Sequence, residues 1–372
     1  MSKRKRFTST TLLKILTFFF FGSLGAFNAY YELKHYGDVT ISFYLYTMAI
    51  VLVSVPIHVL LHEVGHLLAG LLSGYEFIMF RLFNHLWIKT DAGLSRRKQY
   101  IPGVMGQALM VPPEKSENER PPFLLYHLGG LILNGLTAIA FVLFGRGIAD
   151  PFTRYFFYLS AVIAVFLLIT NALPFKGTDG YNIRKYLKDP KQEDEILTIL
   201  YLYRDMVKGL SFSEIQESIQ LDTMQDFKNP NSVTLYSLQA AAAFENYDFE
   251  KAREKYSVLW NKMDQLFDAH KTDVSMNYLF TLLLTDPAHP DVETIQSAPF
   301  YKAYRKIKQA DSFRIFAAEA LYLEKDYETA LGFLEKGQKE IPFSPTVSDE
   351  NVEKLLYAYL QKELDFKMQQ AD

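Results

Sequence analysis

The 372-residue chain has a net charge of −3 and no cysteine, which excludes disulfide scaffolds and thiolate metal sites and leaves His and carboxylate side chains to hold any metal. The small net charge conceals an asymmetry, since residues 1–190 carry 19 Lys and Arg against 11 Asp and Glu, and residues 191–372 carry 20 against 31. A basic, very apolar front half joined to an acidic back half of ordinary hydrophobicity excludes a nucleic-acid binder and describes a membrane region followed by a soluble domain.

The chain opens on Lys3-Arg4-Lys5-Arg6, followed by an apolar run from Leu12 to about Tyr31. A signal peptide begins the same way. This run, however, is long, lacks a small-residue cleavage site and is soon followed by a second apolar segment, so it reads as an uncleaved first transmembrane helix. Four segments reach the length of about 20 apolar residues that a span needs: 11–31, 41–72, 123–146 and 153–173. The second is too long for a perpendicular helix and contains Pro56, which predicts tilt or a kink.

Basic residues set the orientation. They gather at the amino terminus, between the second and third spans (Arg81, Lys89, Arg96, Arg97, Lys98, Lys115, Arg120) and after the fourth (Lys176, Arg184, Lys185, Lys188). The opposite loops offer little beyond Lys34, Arg146 and Arg154. Both termini, the 73–122 segment and the carboxy-terminal domain are therefore expected in the cytoplasm of a multi-pass cell-membrane protein. The second and fourth spans then both run inward, which brings residues 62–66 and the stretch just past 171 to one membrane depth.

Within the second span lies His62-Glu63-Val64-Gly65-His66. Histidines four apart stand one turn apart on one helix face, so both imidazoles can reach one metal ion. Glu63 is rotated by about 100° from His62, which places it beside a metal-bound water as a base. HExxH patterns also arise by chance on soluble helices, but ionisable groups are costly inside lipid and usually functional there. His58 extends the stripe, yet three histidines on one straight helix span about 12 Å of rise, too far for one ion; it reads as a packing or supporting residue. Zinc needs a third protein ligand. The stretch Asn171-Ala-Leu-Pro174-Phe-Lys-Gly177-Thr-Asp179-Gly180 breaks the fourth helix and can turn Asp179 back toward the histidines. The same residues also fit a plain helix-ending turn.

With both stretches in view, the chain resembles the site-2 protease family of intramembrane zinc metalloproteases, which combine HExxH in one transmembrane helix with N-x-x-P-x-x-x-x-D-G near the end of a later one. Gly129-Gly130-Leu-Ile-Leu-Asn134 is similar to the family's glycine-containing stretch ending in Asn, and Tyr100-Ile-Pro102-Gly103-Val-Met-Gly106 is a loose version of its hairpin segment. The resemblance covers about residues 41–185. It implies that His62, His66 and Asp179 bind zinc, that Glu63 is the general base, and that Asn134 and Asn171 lie near the site and donate hydrogen bonds to substrate or intermediate. Leu131 departs from the usual Pro, and no room exists for a PDZ domain between the third and fourth spans. The 86–111 segment reads either as an edge strand that holds an unwound substrate by β-addition or as a simple surface hairpin.

From about residue 186 the chain turns helical. Asp248-Phe249-Glu250-Lys251-Ala252 and Asp326-Tyr327-Glu328-Thr329-Ala330 are near copies, with Asp291-Val292-Glu293-Thr294-Ile295 between them at intervals of 43 and 35 residues. Such spacing resembles tetratricopeptide units, which bind peptides, and it also fits a generic helical bundle. The expected architecture is a membrane all-α domain (1–185: four transmembrane helices with a short β-hairpin between the second and third) followed by a soluble, repeat-like α-helical domain (186–372). The expected activity is zinc-dependent cleavage of membrane-embedded or membrane-proximal protein segments, with a protein partner on the cytoplasmic helical domain. The alternatives are a catalytically inactive receptor or scaffold and, less compatible with four spans and few intramembrane acids, a transporter.

Overall fold

A computed structural model describes residues 9–99, 101, 104–113, 123–175, 177–188, 191–218 and 226–371. Lys3 to Arg6, Tyr100, Pro102, Gly103, Lys115, Arg120 and Lys176, on which part of the expected orientation and the hairpin resemblance rest, lie outside the described residues. The chain forms two compact units, one of residues 1–77 and 108–193, the other of residues 78–107 and 194–372. Both are discontinuous in sequence.

The first unit is a helix bundle. Helix α1 (Ser9–Tyr36) is followed by α2 (Ile41–Leu72), which starts where the Thr40 hydroxyl accepts the Phe43 N–H and runs unbroken through Pro56. At about 1.5 Å per residue its 32 residues extend about 48 Å, well beyond an apolar layer of about 30 Å. Helix α3 (Phe123–Gly147) and α4 (Pro151–Ala172) complete the bundle, α4 starting with Pro151 behind an Asp150 cap that accepts the Thr153 N–H. A short α5 (Asp179–Lys188) follows.

Among the described residues three helices, α2, α3 and α4, are long and apolar enough to cross a membrane. Their polarity is inverted relative to a soluble bundle: His58, His62, Glu63, His66, Asn134 and Ser160 are buried, while Leu52, Leu72, Ile139 and Phe144 are exposed. That arrangement suits an apolar solvent around the outer faces. The segment expected as the first span forms α1 but is not among those three helices. Its second half carries Asn28, Glu32 and Lys34, and the first two are buried. They tie α1 to its neighbours. Asn28 Oδ1 accepts from Thr47 at 2.7 Å and Tyr155 at 2.9 Å, and Glu32 accepts from the Thr40 amide at 2.7 Å.

Where a short hairpin was expected, the chain forms a four-stranded sheet of β1 (Glu76–Leu82), β2 (His85–Thr90), β3 (Gly93–Lys98) and β4 (Gly106–Val111) in the order β3-β2-β1-β4. Phe80 pairs with Trp87 and Trp87 with Arg96 in the antiparallel register of the first three strands. The turn at Phe83-Asn84 holds Phe83 at φ +53°. Arg81 donates to Gln107 Oε1 at 3.0 Å.

In the second unit, β3 is anchored to helical residues. Arg97, nearly fully buried, donates to the Pro342 carbonyl at 2.6 Å and pairs with Glu350, and Lys98 pairs with Glu340 at 2.6 Å while lying over the Phe343 ring. The helices form successive hairpins. Helices α6 (Lys191–Lys208) and α7 (Phe212–Ser218) lead to the pair α8 (Pro230–Glu245) and α9 (Phe249–Trp260), then to α10 (Asp268–Thr285), α11 (Pro290–Ser297), α12 (Pro299–Tyr304), α13 (Ala310–Glu319), α14 (Tyr327–Gln338) and α15 (Val347–Ala371).

Two of the three near copies are equivalent turns. Asp248 and Asp326 both cap the following helix, accepting the Lys251 and Thr329 amides, and each follows a residue in the left-handed region, Tyr247 at φ +55° and Lys325 at φ +56°. The third copy is shifted, because His289 caps α11 and Asp291 lies inside it. A π-helical turn at Ala320–Glu324 interrupts the second equivalent hairpin.

The anchor of β3 generates a prediction. Partial burial disfavours the charge on Glu350, but Lys354 and Arg97 outweigh it and hold the carboxyl below its ordinary 4.5. Arg97→Ala should cost about 2–3 kcal/mol, the worth of its charged hydrogen bonds, read as a lower thermal midpoint of the full chain. Because the folded value lies below the unfolded one, the ion-pair stabilisation is complete above about pH 4.5 and is lost as pH falls through the folded value. The difference between wild type and variant should therefore narrow on acidification; widening would contradict the ion pair's role.

Candidate metal centre

Helix geometry places the His62 and His66 rings one turn apart on the inner face of α2, with Nε2 atoms 3.1 Å from each other. The third member arrives through the break after α4, and each residue of that break has a physical task. Leu173 ends α4 in an extended conformation and Pro174 prevents its continuation. Gly177 adopts φ +92°, and the Thr178 hydroxyl donates to the Phe175 carbonyl at 2.8 Å and to the Leu173 carbonyl. Gly180 passes so close to α4 that a Cβ there would lie 2.0 Å from the Ala172 carbonyl oxygen. Asp179, the first residue of α5, is thereby turned inward, its Oδ2 2.9 Å from His62 Nε2 and 3.3 Å from His66 Nε2.

Three atoms able to ligate a metal thus converge in a largely buried place, all within 4.8 Å of one another. The donor set fits a metal ion. His66 Nδ1 lies 2.8 Å from the Tyr126 carbonyl, which can only accept, so Nδ1 carries a proton and in the neutral ring Nε2 presents a bare lone pair. A carboxylate oxygen and a bare imidazole nitrogen facing each other require a cation or proton between them. Tetrahedral coordination at about 2.0–2.1 Å separates neighbouring donors by about 3.3 Å, close to the spacings seen here.

Glu63 is buried within electrostatic reach of all three. Its Oε2 accepts the Ala108 amide of β4 at 2.7 Å, and the Tyr126 hydroxyl donates to the carbonyl of the same residue. Of the other expected site residues, Asn134 is fully buried with its amide 3.3 Å from His62 Nδ1, which places it against a candidate ligand. Asn171 donates to the Leu167 carbonyl one turn back on its own helix at 3.0 Å. His58 packs edge-on against Phe141 and takes no part in the convergent group.

Tyr126 and His127, whose Nδ1 lies 3.6 Å from Asp179 Oδ1, are not among the residues expected at the site, and Ala108 was expected only as part of the 86–111 edge strand. A signal for His127 existed, because it is a histidine inside an apolar span. Ala108 contributes through its backbone and left no signal.

No protein-family profile, curated protein or solved structure matches the chain.

Gly130 tests the convergence without touching a ligand. A Cβ there would lie 2.6 Å from both His62 Cε1 and His66 Nε2, so Gly130→Ala must displace the rings. It should lower the affinity of the purified full chain for divalent metal by about 10- to 100-fold, the effect typical of disturbed ligand support, measured by chelator competition. Unchanged affinity would mean that these rings do not hold the ion.

Proposed function

We propose that the chain is an intramembrane zinc endopeptidase acting on membrane-embedded or membrane-proximal protein segments. The observation that carries this reading is the convergence of His62, His66 and Asp179, with Glu63 beside them, among helices apolar enough to cross a membrane. Zinc is favoured by a donor set of two imidazoles and one carboxylate, which leaves one position for water or substrate. The same reading takes α1 as a fourth span and, from the bias of basic residues, puts both termini in the cytoplasm.

When bound, zinc supplies Lewis acidity and lowers the pKa of a coordinated water. The work of this chain's own residues is distinct. Glu63 anchors one carboxylate oxygen on the Ala108 amide and uses the other to take the proton of the attacking water, later passing it to the leaving amine. A substrate helix hides its carbonyls in its own hydrogen bonds and must unwind to be cut. Strand β4 stands at the edge of its sheet, and pairing with it would extend the substrate beside Glu63. The second unit is read as a tetratricopeptide-like binding or regulatory domain, supported by the two equivalent Asp-capped hairpins.

Glu63→Gln separates an enzyme from a receptor or scaffold. The variant keeps size and the hydrogen bond from Ala108 but cannot take a proton, so bound metal should stay while the rate falls by about 100- to 10,000-fold. Membrane proteins captured on this variant are co-expressed with wild type, and cleavage products should appear with wild type alone. Partners that wild type never cuts would favour the receptor; equal cutting by both would remove Glu63 from the mechanism.

A further inference from the structure

We propose that His127 is a positioning residue for Asp179: its Nδ1–H is directed at Oδ1 and so turns Oδ2 toward the two histidines. The inference rests on the metal-site reading above and assigns a role to a side chain which that reading does not use. His127 lies on α3 and is buried, its ring edge-on to Phe123 at 4.1 Å and to Tyr126 at 5.0 Å between centroids. Neither ring nitrogen has another hydrogen-bond partner among the described residues. An imidazole withdrawn from water with both nitrogens idle is unfavourable. The polar group that Nδ1 meets is Asp179 Oδ1 at 3.6 Å, and a shift of a few tenths of an ångström makes that a hydrogen bond.

The two oxygens of Asp179 are divided between two tasks. Oδ2 lies 2.9 and 3.3 Å from the histidine Nε2 atoms, while Oδ1 faces His127. A carboxylate at the start of a short helix can rotate about its side-chain torsions, and a donor on one oxygen selects which oxygen the ion meets. Helix α3 supplies the same service three times. The Tyr126 carbonyl fixes His66, Asn134 stands against His62, and His127 completes the set. Residues 127, 130 and 134 share one helix face by their spacing, so a histidine, a glycine that clears the rings and an asparagine form a single supporting stripe.

The test uses the purified full chain and measures zinc affinity by competition with a chromophoric chelator, with the cobalt-substituted absorption spectrum as a second readout. His127→Ala should weaken zinc by about 10- to 100-fold and alter the cobalt ligand-field bands, as Asp179 loses its fixed orientation. His127→Gln, which keeps an N–H donor, should recover most of the affinity and the wild-type spectrum. Unchanged affinity in His127→Ala, with Asp179→Ala still weakened, overturns the positioning role and leaves the metal site standing. Equal loss in the Gln and Ala variants also overturns it, since the donor would then not be what matters. If wild type itself binds no zinc, it is the metal reading that fails.

Discussion

The arrangement depends on one close approach, the crossing of α2 and α3 at glycine. A Cβ on Gly65 would lie 2.3 Å from the Gly129 carbonyl oxygen, and one on Gly129 equally close to that of Gly65. The two backbones therefore touch, which only residues without a side chain permit. The polar contacts between α2 and α3 follow from that approach. The His62 and His66 rings occupy the space that a side chain at Gly130 would fill, the Tyr126 carbonyl comes within reach of His66 Nδ1, and Asn134 reaches His62. With a wider crossing, the histidines would face lipid or each other without the partners that orient them.

A second constraint acts at the end of α4. A continuous helix would carry Asp179 past the site, and a loose loop would leave it unfixed. The chain instead uses a proline stop, a left-handed glycine, a hydroxyl that closes the turn onto Leu173 and Phe175, and Gly180 pressed against Ala172. The Thr178 hydroxyl donates to the Leu173 and Phe175 carbonyls, which the broken helix leaves without helical partners. This is why the motif needs several residue types at fixed intervals in addition to the acid.

These two constraints explain what could be read in advance. Helical period brought His62 and His66 to one face, and the Pro174–Gly177 break pointed to Asp179; the structure assembles those three. The partners that orient them were not legible, because they depend on how α3 is rotated against α2. Asn134 reads as a substrate donor from motif position alone, yet lies against His62. The seat of Glu63 is a main-chain amide, which carries no residue signature. Residues 78–107 group with the helical unit through Arg97 and Lys98, pairings between stretches some 240 residues apart that no local pattern encodes. The apolar runs identified α2, α3 and α4, whereas α1 mixes apolar surface with buried Asn28 and Glu32.

The Asn134 amide ties the supporting groups to the state of the site. Its NH2 lies 3.3 Å from His62 Nδ1; with that nitrogen as acceptor, the proton of the neutral ring sits on Nε2, the atom aimed at Asp179 and His66. Such a tautomer is a hydrogen-bond donor and cannot ligate. With the amide turned over, its oxygen accepts from Nδ1–H, His62 matches His66 in tautomer, and both Nε2 lone pairs are free. As placed, the Asn134 oxygen has no partner although fully buried; turning the amide gives that oxygen a donor and moves the NH2 to the position it leaves. The two ends of one amide are alike in shape, and only the turned form leaves His62 able to bind a metal. In the turned orientation Asn134 would select the imidazole tautomer that leaves His62 Nε2 free for a metal at this crossing.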